Sequence, residues 1–245
     1  MQQNKILSIR LSPDGLSFWT TGVVRAATQD KPVKRDLWDV SPESEFAFDR
    51  AKSVAENLND GVSLIKKTVG ECLMTEVYVD TLRTIPVPTE YASGDTLGKL
   101  LADNNIVLED AEDAIYVDIC QGISVIMVYD RRVSDILRES FGEIVIASPF
   151  GINNGLMDKY GSGRRRAAAL YLTPRHVYVT VFERKSGAWL HSDVMKWSAP
   201  ADILYYMSVL DQNFGLHKSK LYVRGNGASE VCHLLQKYFR KTRCE

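Results

Sequence analysis

"IRLSPDGLSF" (residues 9–18) aligns without a gap on "LYLTPRHVYV" (residues 170–179). In each stretch, apolar and polar side chains alternate on both sides of a proline, which is typical of two short strands joined by a tight turn. In the first stretch Asp14-Gly15 tolerates the backbone conformations of such a turn, and Pro13 presets the bend. The sequence therefore predicts two similar β-hairpins that begin 161 residues apart.

The elements predicted after the two hairpins come in the same order, which is strand, helix, strand, helix. We interpret this order as an internal duplication of a βββαβα unit. Alternating strands around a proline also resemble one another by chance, so the shared order carries more weight than the ten aligned residues. The predicted domains are a first half over residues 1–163 and a second half over residues 164–245.

The individual elements are predicted from hydrophobic periodicity and from capping and turn residues. In the first half they are strands at 35–40, 75–81, 114–119, 123–130 and 143–149 and helices at 41–58, 94–105 and 132–142. In the second half they are a hairpin and third strand over 169–197, a helix over 198–215, a strand over 219–227 and a helix over 228–241. The segment GINNGLMDKYGSGRRR (151–166) is predicted to be irregular, because it is rich in Gly and Asn.

The composition is that of an ordinary globular protein. Of the 245 residues, 45% are hydrophobic and 25% are charged, and the formal net charge of −1 gives no overall attraction to nucleic acid or to an anionic membrane. The four cysteines lie far apart without a CxxC pair, which favours free thiols in a reducing compartment. The first residues do not form a secretion signal, and the best apolar run, 123–129, is too short to cross a bilayer. We therefore expect a cytoplasmic protein.

Two βββαβα halves resemble the actin/Hsp70/sugar-kinase superfamily, whose subdomains are of ribonuclease-H-like type. More closely, the chain resembles an uncharacterised family of domain-of-unknown-function proteins found in Bacteroidetes. The stretches that carry this resemblance are ILSIRLSPDGLSFW (6–19), VDTLRTIPVPTEY (79–91), VYDRRVSDILRESFG (128–142) and APADILYYMSVLDQNFGLHKSKLYVRGNG (199–227). The resemblance implies an α/β fold of actin-like ATPase architecture, with two ribonuclease-H-like halves and mixed sheets, and it implies no established activity.

In the actin-like superfamily the hairpin turns of both halves hold the phosphates of a nucleotide, and an aspartate at a strand end handles the metal. Such turns need glycines, because backbone N–H groups must approach the phosphates closely. The first hairpin has Asp14-Gly15, but its first strand ends without a carboxylate. The second turn, Pro174-Arg175-His176, has neither glycine nor aspartate, and proline lacks an N–H group. Two plain hairpin turns are the favoured interpretation, although Arg175 and His176 are also suited to meeting an anion.

The loop VRGNG, residues 223–227, is the more nucleotide-like feature. Gly225, Asn226 and Gly227 follow a strand and precede a helix, as the adenosine-contacting loop of the superfamily does, and helix N-termini favour anions. Glu230 holds the third glycine position of a complete G-x-G-x-x-G motif. A strand-to-helix turn that merely needs glycine is the favoured alternative.

The remaining motifs are weaker. Asp118, in YVDICQG, imitates an Asp-x-Gly phosphate motif with a cysteine in place of the glycine, and we interpret it as a strand-end residue. Asp80 suits the fourth-strand acid of a ribonuclease-H-like nuclease, but the first strand supplies no partner acid, so a nuclease is not expected. The four histidines have no metal-ligand spacing. Arg164–Arg166 is expected to be a solvated linker.

Two functions follow from these observations. The favoured one is a non-catalytic binding or scaffold protein with a protein partner, on a degenerate actin-like fold, with no catalytic residue, metal ligand or cofactor. The alternative is a kinase or ATPase that binds Mg-ATP, with Gly225-Asn226-Gly227 at the adenosine and Asp14-Gly15 at the phosphates. Nucleic-acid binding through Arg164–Arg166 is a third and less favoured possibility, and it predicts weak binding that collapses with salt.

Overall fold

A computed structural model of the chain describes residues 5–22, 44–120, 122–160 and 166–244. The chain divides into two compact units that draw on interleaved stretches. Unit 1 comprises Met1–Arg83, Gly94–Val117 and Met127–Ala147, and unit 2 comprises Thr84–Ser93, Asp118–Ile126 and Ser148–Glu245. Within the described ranges, no helix combines the length and the apolar character that a membrane span requires.

Unit 1 is built on a five-stranded mixed sheet. Its strands are β1 (Lys5–Ser12), β2 (Gly15–Gly22), β3 (Ser44–Ala47), β4 (Met74–Val79) and β8 (Ile144–Ala147). They lie in the order β3-β2-β1-β4-β8, and β1 pairs antiparallel with β2 and parallel with β4. One face of the sheet packs against the helices α1 (Val54–Thr68) and α3 (Arg131–Phe141), and Ile9, Leu58 and Leu137 are buried in this core.

Unit 2 contains a second five-stranded mixed sheet. Its strands are β9 (Arg166–Leu172), β10 (His176–Glu183), β11 (Trp189–Lys196), β12 (Lys220–Gly225) and β13 (Thr242–Cys244). Their order, β11-β10-β9-β12-β13, repeats the order of the first sheet strand by strand. Helices α5 (Pro200–Phe214) and α6 (Ala228–Gln236) pack on one face around Leu170, and α4 (Phe150–Tyr160) packs on the other face against β9 and β10.

A smaller sheet and a helix are inserted between β4 and α3. The sheet consists of β5 (Thr84–Pro88), β6 (Glu112–Cys120) and β7 (Ile123–Asp130) in the order β5-β7-β6, and the helix is α2 (Gly94–Asp103). At the corresponding place in unit 2, β12 leads through Asn226 and Gly227 directly into α6. The insertion is therefore the main difference between the element orders that follow the two hairpins.

Both predicted hairpins are present, and the same hydrogen bond crosses each turn. Ser12 Oγ donates to the carbonyl oxygen of Gly15 at 3.0 Å, and Thr173 Oγ1 donates to that of His176 at 3.2 Å. Donors and acceptors in the two turns are related by the 161-residue offset of the sequence alignment. The aligned residues therefore occupy equivalent places in the two hairpins.

The predicted helix over 41–58 is wrong in its first part. Residues 44–47 form the edge strand β3, and the helix begins only at Val54. Its start is a capping box, because Ser53 Oγ accepts from the Glu56 N–H and the Glu56 carboxylate accepts from the Ser53 N–H. The Ser and Glu residues around position 43 imitate this signal. The predicted strand over 35–40, with Trp38, lies outside the described residues.

The segment 151–166 was predicted to be irregular, and this prediction is wrong over its first ten residues. They belong to α4, whose Phe150, Ile152 and Leu156 side chains are buried. Asn153, which suggested a loop, is itself buried, and its side-chain amide donates to the carbonyl oxygen of Tyr178 at 3.0 Å. A buried asparagine is tolerated here because it satisfies a polar group of the neighbouring strand.

The expectation of four free thiols is wrong for two of the cysteines. Cys232 of α6 and Cys244 of β13 form a disulfide, with their Cα atoms 6.1 Å apart. The pairing depends on β13, which runs parallel to β12 and returns the end of the chain to the side of α6. Among the described residues, Cys72 and Cys120 are outside any disulfide.

Candidate functional site

The first hairpin turn carries Asp14 and Gly15, the predicted phosphate-contacting pair of unit 1. A side chain at Gly15 would place its Cβ 2.2 Å from the carbonyl oxygen of Phe46, so the close approach of β3 excludes any other residue. The carbonyl oxygen of Asp14 accepts from the N–H of Phe48 at 2.8 Å. The packing of β3 thus accounts for the glycine without a ligand.

In the second hairpin turn, in unit 2, the backbone N–H groups donate to a side chain of the turn itself. Thr173 Oγ1 accepts from the N–H of His176 at 2.9 Å and from the N–H of Arg175 at 3.4 Å. Pro174 contributes no N–H group. Thr173 and His176 are buried. An anion at this turn would have to displace the threonine hydroxyl before it met a backbone donor.

The glycine loop of unit 2 is packed against the same turn. A Cβ at Gly225 would lie 2.2 Å from the carbonyl oxygen of Leu172, and the N–H of Asn226 donates to that oxygen at 2.9 Å. Gly225 has a φ of 102°, a conformation that glycine adopts without strain. Gly227 has a φ of 70° and is the N-cap residue of α6. The first glycine is therefore required by the end of β9.

Trp197 joins the glycine loop to the hairpin turn. Its indole N–H donates to the carbonyl oxygen of Thr173 at 3.0 Å, and its backbone N–H donates to that of Arg175 at 3.0 Å. The Cη2 atom of its ring lies 3.2 Å from where a Cβ of Gly227 would be. We call Thr173–His176, Trp197 and Gly225–Gly227 the turn cluster. Nothing in the sequence around Trp197 predicts this role.

The structure therefore brings together three of the five predicted ligand residues. Gly225, Asn226 and Gly227 lie in the turn cluster of unit 2, whereas Asp14 and Gly15 lie in the first hairpin turn of unit 1. The two sets belong to different compact units, and each is explained by contacts within its own unit.

Unit 1 repeats the backbone contacts of the turn cluster with other side chains. The N–H of Asp80 donates to the carbonyl oxygen of Leu11 at 2.8 Å, as that of Asn226 does to Leu172. The N–H of Phe48 donates to the carbonyl oxygen of Asp14, as that of Trp197 donates to the carbonyl oxygen of Arg175. Asp80 is buried at the end of β4, so a carboxylate stands in unit 1 where unit 2 has an exposed amide.

Asp118 has a structural contact within the smaller sheet. Ser124 Oγ donates to its Oδ1 atom at 2.6 Å across the β6–β7 hairpin, and Thr89 Oγ1 lies 3.0 Å from Ser124 Oγ. Ser124 is fully buried. The aspartate thus satisfies a buried hydroxyl of the neighbouring strand.

Two of the histidines each lie within hydrogen-bonding distance of one polar side chain. His191 Nε2 lies 3.2 Å from the hydroxyl of Tyr206, which donates to Asp193 Oδ2 at 2.8 Å. Burial, reinforced by the hydrogen bond and charge of Asp193, raises the pKa of Tyr206, so this hydroxyl stays protonated. His217 Nδ1 lies 3.1 Å from Asp211. In the part of the chain that the structure describes, no three His, Cys, Asp or Glu residues are grouped as metal ligands.

Comparison with known proteins identifies the fold. No family model matches the chain, and no curated protein matches it. A protein of unknown function with an actin-like ATPase fold from Bacteroides thetaiotaomicron superimposes with a TM-score of 0.75 at 18% identity, over 99% of this chain and 91% of that one. A chain of the PilM–PilN type IV pilus biogenesis complex superimposes with a TM-score of 0.55 at 12% identity, over 98% of this chain and 88% of that one.

These similarities agree with the sheet order derived above. The chain has the actin-like ATPase fold, with two mixed five-stranded sheets as the resemblance implied. At these identities the comparisons define the fold and leave the activity to the site itself.

Proposed function

We propose that the protein is a non-catalytic binding or scaffold protein on a degenerate actin-like fold, and that it binds a partner protein. The observation that carries the proposal is the second hairpin turn, whose N–H groups at Arg175 and His176 are taken by Thr173 Oγ1. A phosphate clamp needs such groups pointing at the ligand, because oriented backbone N–H dipoles bind the anion.

The glycine loop adds a second reason. The N–H of Asn226 is engaged with Leu172, and the ring of Trp197 lies against Gly227. Both contacts stabilise the turn cluster internally. A donor that is already bonded within the cluster gains little from a phosphate, since a new hydrogen bond would replace an existing one.

A protein as the ligand has independent support from fold analogy. The chain of the PilM–PilN complex has the same fold and is found in a complex. Fold analogy does not identify the partner. It makes partner binding a role that this architecture carries elsewhere.

We also infer that the chain arose by duplication of a βββαβα unit and belongs with the unknown-function Bacteroides protein in one family. The repeated strand order, the 161-residue offset of the hairpins and the equivalent contacts of Asp80 and Asn226 support the duplication. The resemblance along most of both chains supports the family.

The alternative function is an ATP-binding kinase or ATPase that uses Mg-ATP. One observation favours it, namely that Gly227 caps α6 without a side-chain hydrogen bond. The first N–H groups of a helix with such a cap attract anions. In this function Gly225–Gly227 would contact the adenosine, and Asp14-Gly15 the phosphates.

Thermal unfolding with and without nucleotide separates the two functions. Ligand at one hundred times its Kd stabilises the native state by about 2.7 kcal/mol, which raises the midpoint of a chain of this size by roughly 5–10 °C. We expect no shift with 2 mM Mg-ATP or Mg-ADP relative to Mg²⁺ alone. A saturable shift that disappears in Gly227→Val would contradict the proposal and establish nucleotide binding at the loop.

A further inference from the structure

The net charge of −1 is the sum of opposite charges on the two units. Unit 2 contains 15 Lys and Arg against 9 Asp and Glu, whereas unit 1 contains 15 against 22. The formal charges are therefore +6 and −7. Much of the excess lies near the end of the chain, because residues 216–244 contain seven basic residues and a single acidic one, Glu230.

Five basic residues come together where the parallel strands of unit 2 begin. Lys220 opens β12, Arg184 follows the end of β10, Lys218 precedes β12, and Lys241 and Arg243 flank and join β13. The Nζ atom of Lys241 lies 3.2 Å from the carbonyl oxygen of Lys218. We call these five residues the basic surface. Lys218, Lys241 and Arg243 are exposed.

The positive charges of this surface are close enough to act on one another. The pKa of Lys220 is lowered first by the charge of Arg184, then by burial, and then by the charges of Arg243 and Lys241. Among the described residues, none of the ion pairs involves Lys218, Lys220, Lys241 or Arg243. Positive charge gathered in this way attracts anions from solution.

An exposed aromatic side chain accompanies the basic surface. Tyr238 is 62% exposed, lies just beyond the end of α6, and stands between Lys237 and Arg240 in the sequence. It is three residues from Lys241, so about 11 Å of chain at most separates the two. Among the described residues from 216 to 244, it is the one large hydrophobic side chain that is exposed.

We propose that the basic surface of unit 2 binds single-stranded nucleic acid, with its lysines and arginines on the phosphates and Tyr238 stacked on an unpaired base. Basic grooves with an accessible aromatic ring bind single strands in this way, because every base presents a stacking face. An anionic membrane is less well matched, since binding there gains from exposed aliphatic side chains that insert between lipids. An acidic protein segment would leave the tyrosine without a role.

The direct test is fluorescence anisotropy of a labelled 20-nucleotide single strand, as RNA and as DNA, with the intact chain. Four phosphate contacts give a salt slope of about −2.8, so the affinity should fall roughly 50-fold between 50 and 200 mM NaCl. Lys220→Ala/Arg243→Ala should lower the slope by about 1.4 and weaken binding at least tenfold at 50 mM NaCl.

A matched control removes two charges elsewhere. Lys67 and Lys99 are exposed lysines of unit 1, so Lys67→Ala/Lys99→Ala changes the net charge equally and should leave binding unchanged. Tyr238→Ala should weaken single-strand binding about fivefold or more, and Tyr238→Phe should retain it, because the ring and not the hydroxyl is used. Circular dichroism of each variant verifies the fold.

The proposal is overturned by any of three results. The first is no anisotropy change with 100 µM protein at 50 mM NaCl. The second is an equal loss in both double variants, which would reduce the effect to net charge. The third is binding to phosphatidylglycerol vesicles or to polyglutamate without binding to the single strands, which would assign the surface to a membrane or to an acidic protein.

Discussion

Replacing Thr173 by valine should destabilise the fold by about 2–4 kcal/mol. Valine keeps the shape of threonine and leaves no cavity, but it removes the hydroxyl that accepts from the N–H of His176 at 2.9 Å and donates to its carbonyl oxygen at 3.2 Å. Both residues are buried, so the N–H group loses its partner out of reach of water. An orphaned buried donor costs about 1–3 kcal/mol, and the lost donated bond adds about 1 kcal/mol.

The assay is thermal unfolding, followed by circular dichroism, of Thr173→Val beside Thr173→Ser. For a chain of this size the expected loss lowers the midpoint by roughly 4–16 °C. Serine keeps the hydroxyl and is the residue that the first hairpin has at the equivalent position, Ser12, so its midpoint should fall by less than half as much. Equal midpoints for the two variants would refute the role of the hydroxyl in satisfying the turn.

Three further predictions follow from single contacts. Gly225→Ala should lower the midpoint by several degrees, since its Cβ would meet the carbonyl oxygen of Leu172 at 2.2 Å on a backbone with positive φ. Asp202 accepts two backbone N–H groups ahead of α5, which lowers its pKa below the ordinary 3.8. Its stabilisation is therefore complete at neutral pH and is lost as the pH falls through the lowered value, so the urea midpoints of wild type and Asp202→Asn should differ at pH 7 and converge progressively below pH 3.8. Dithiothreitol should lower the urea midpoint of the wild type by the equivalent of about 3 kcal/mol, because the bond between Cys232 and Cys244 closes a short loop. It should leave the urea midpoint of Cys232→Ser unchanged, because that variant has no such bond to reduce.

The hairpins were predictable because their determinants are local. Proline, a hydroxyl residue before it and alternating strands on both sides define the turn within ten residues. The same is true of the helix ends at Gly142 and Gly215, where a glycine with positive φ stops the helix as the sequence indicates. These predictions succeeded because the deciding contacts are close in the sequence.

Elements decided by distant contacts were missed. The strand β13 has three residues and exists because it pairs with β12, so no periodicity marks it. Because β13 was missed, the disulfide was missed too, and so was the approach of Lys241 and Arg243 to Lys220. The difference in charge between the two units was also missed, because the composition of the whole chain averages over both.

The contacts of Trp197 with the second hairpin turn could not be predicted from the sequence. A tryptophan directly after a strand is usually a packing residue, and nothing in its neighbourhood points to the turn 22 residues earlier. Its two hydrogen bonds to the turn appear only when β10 and β11 are paired.

The two hairpin turns show that the contacts that form the hairpin differ from those that a phosphate would need. Ser12 and Thr173 make the same hydrogen bond in the two turns, so the hairpin survives with quite different residues at its tip. In unit 1 the tip has Asp14-Gly15, where β3 comes too close for a side chain, and in unit 2 Thr173 also takes the N–H groups that an anion would use. A fold can therefore retain both hairpins after one turn has become self-satisfied, because the hydroxyl-to-carbonyl bond that both turns share does not use the backbone N–H groups that would hold a ligand.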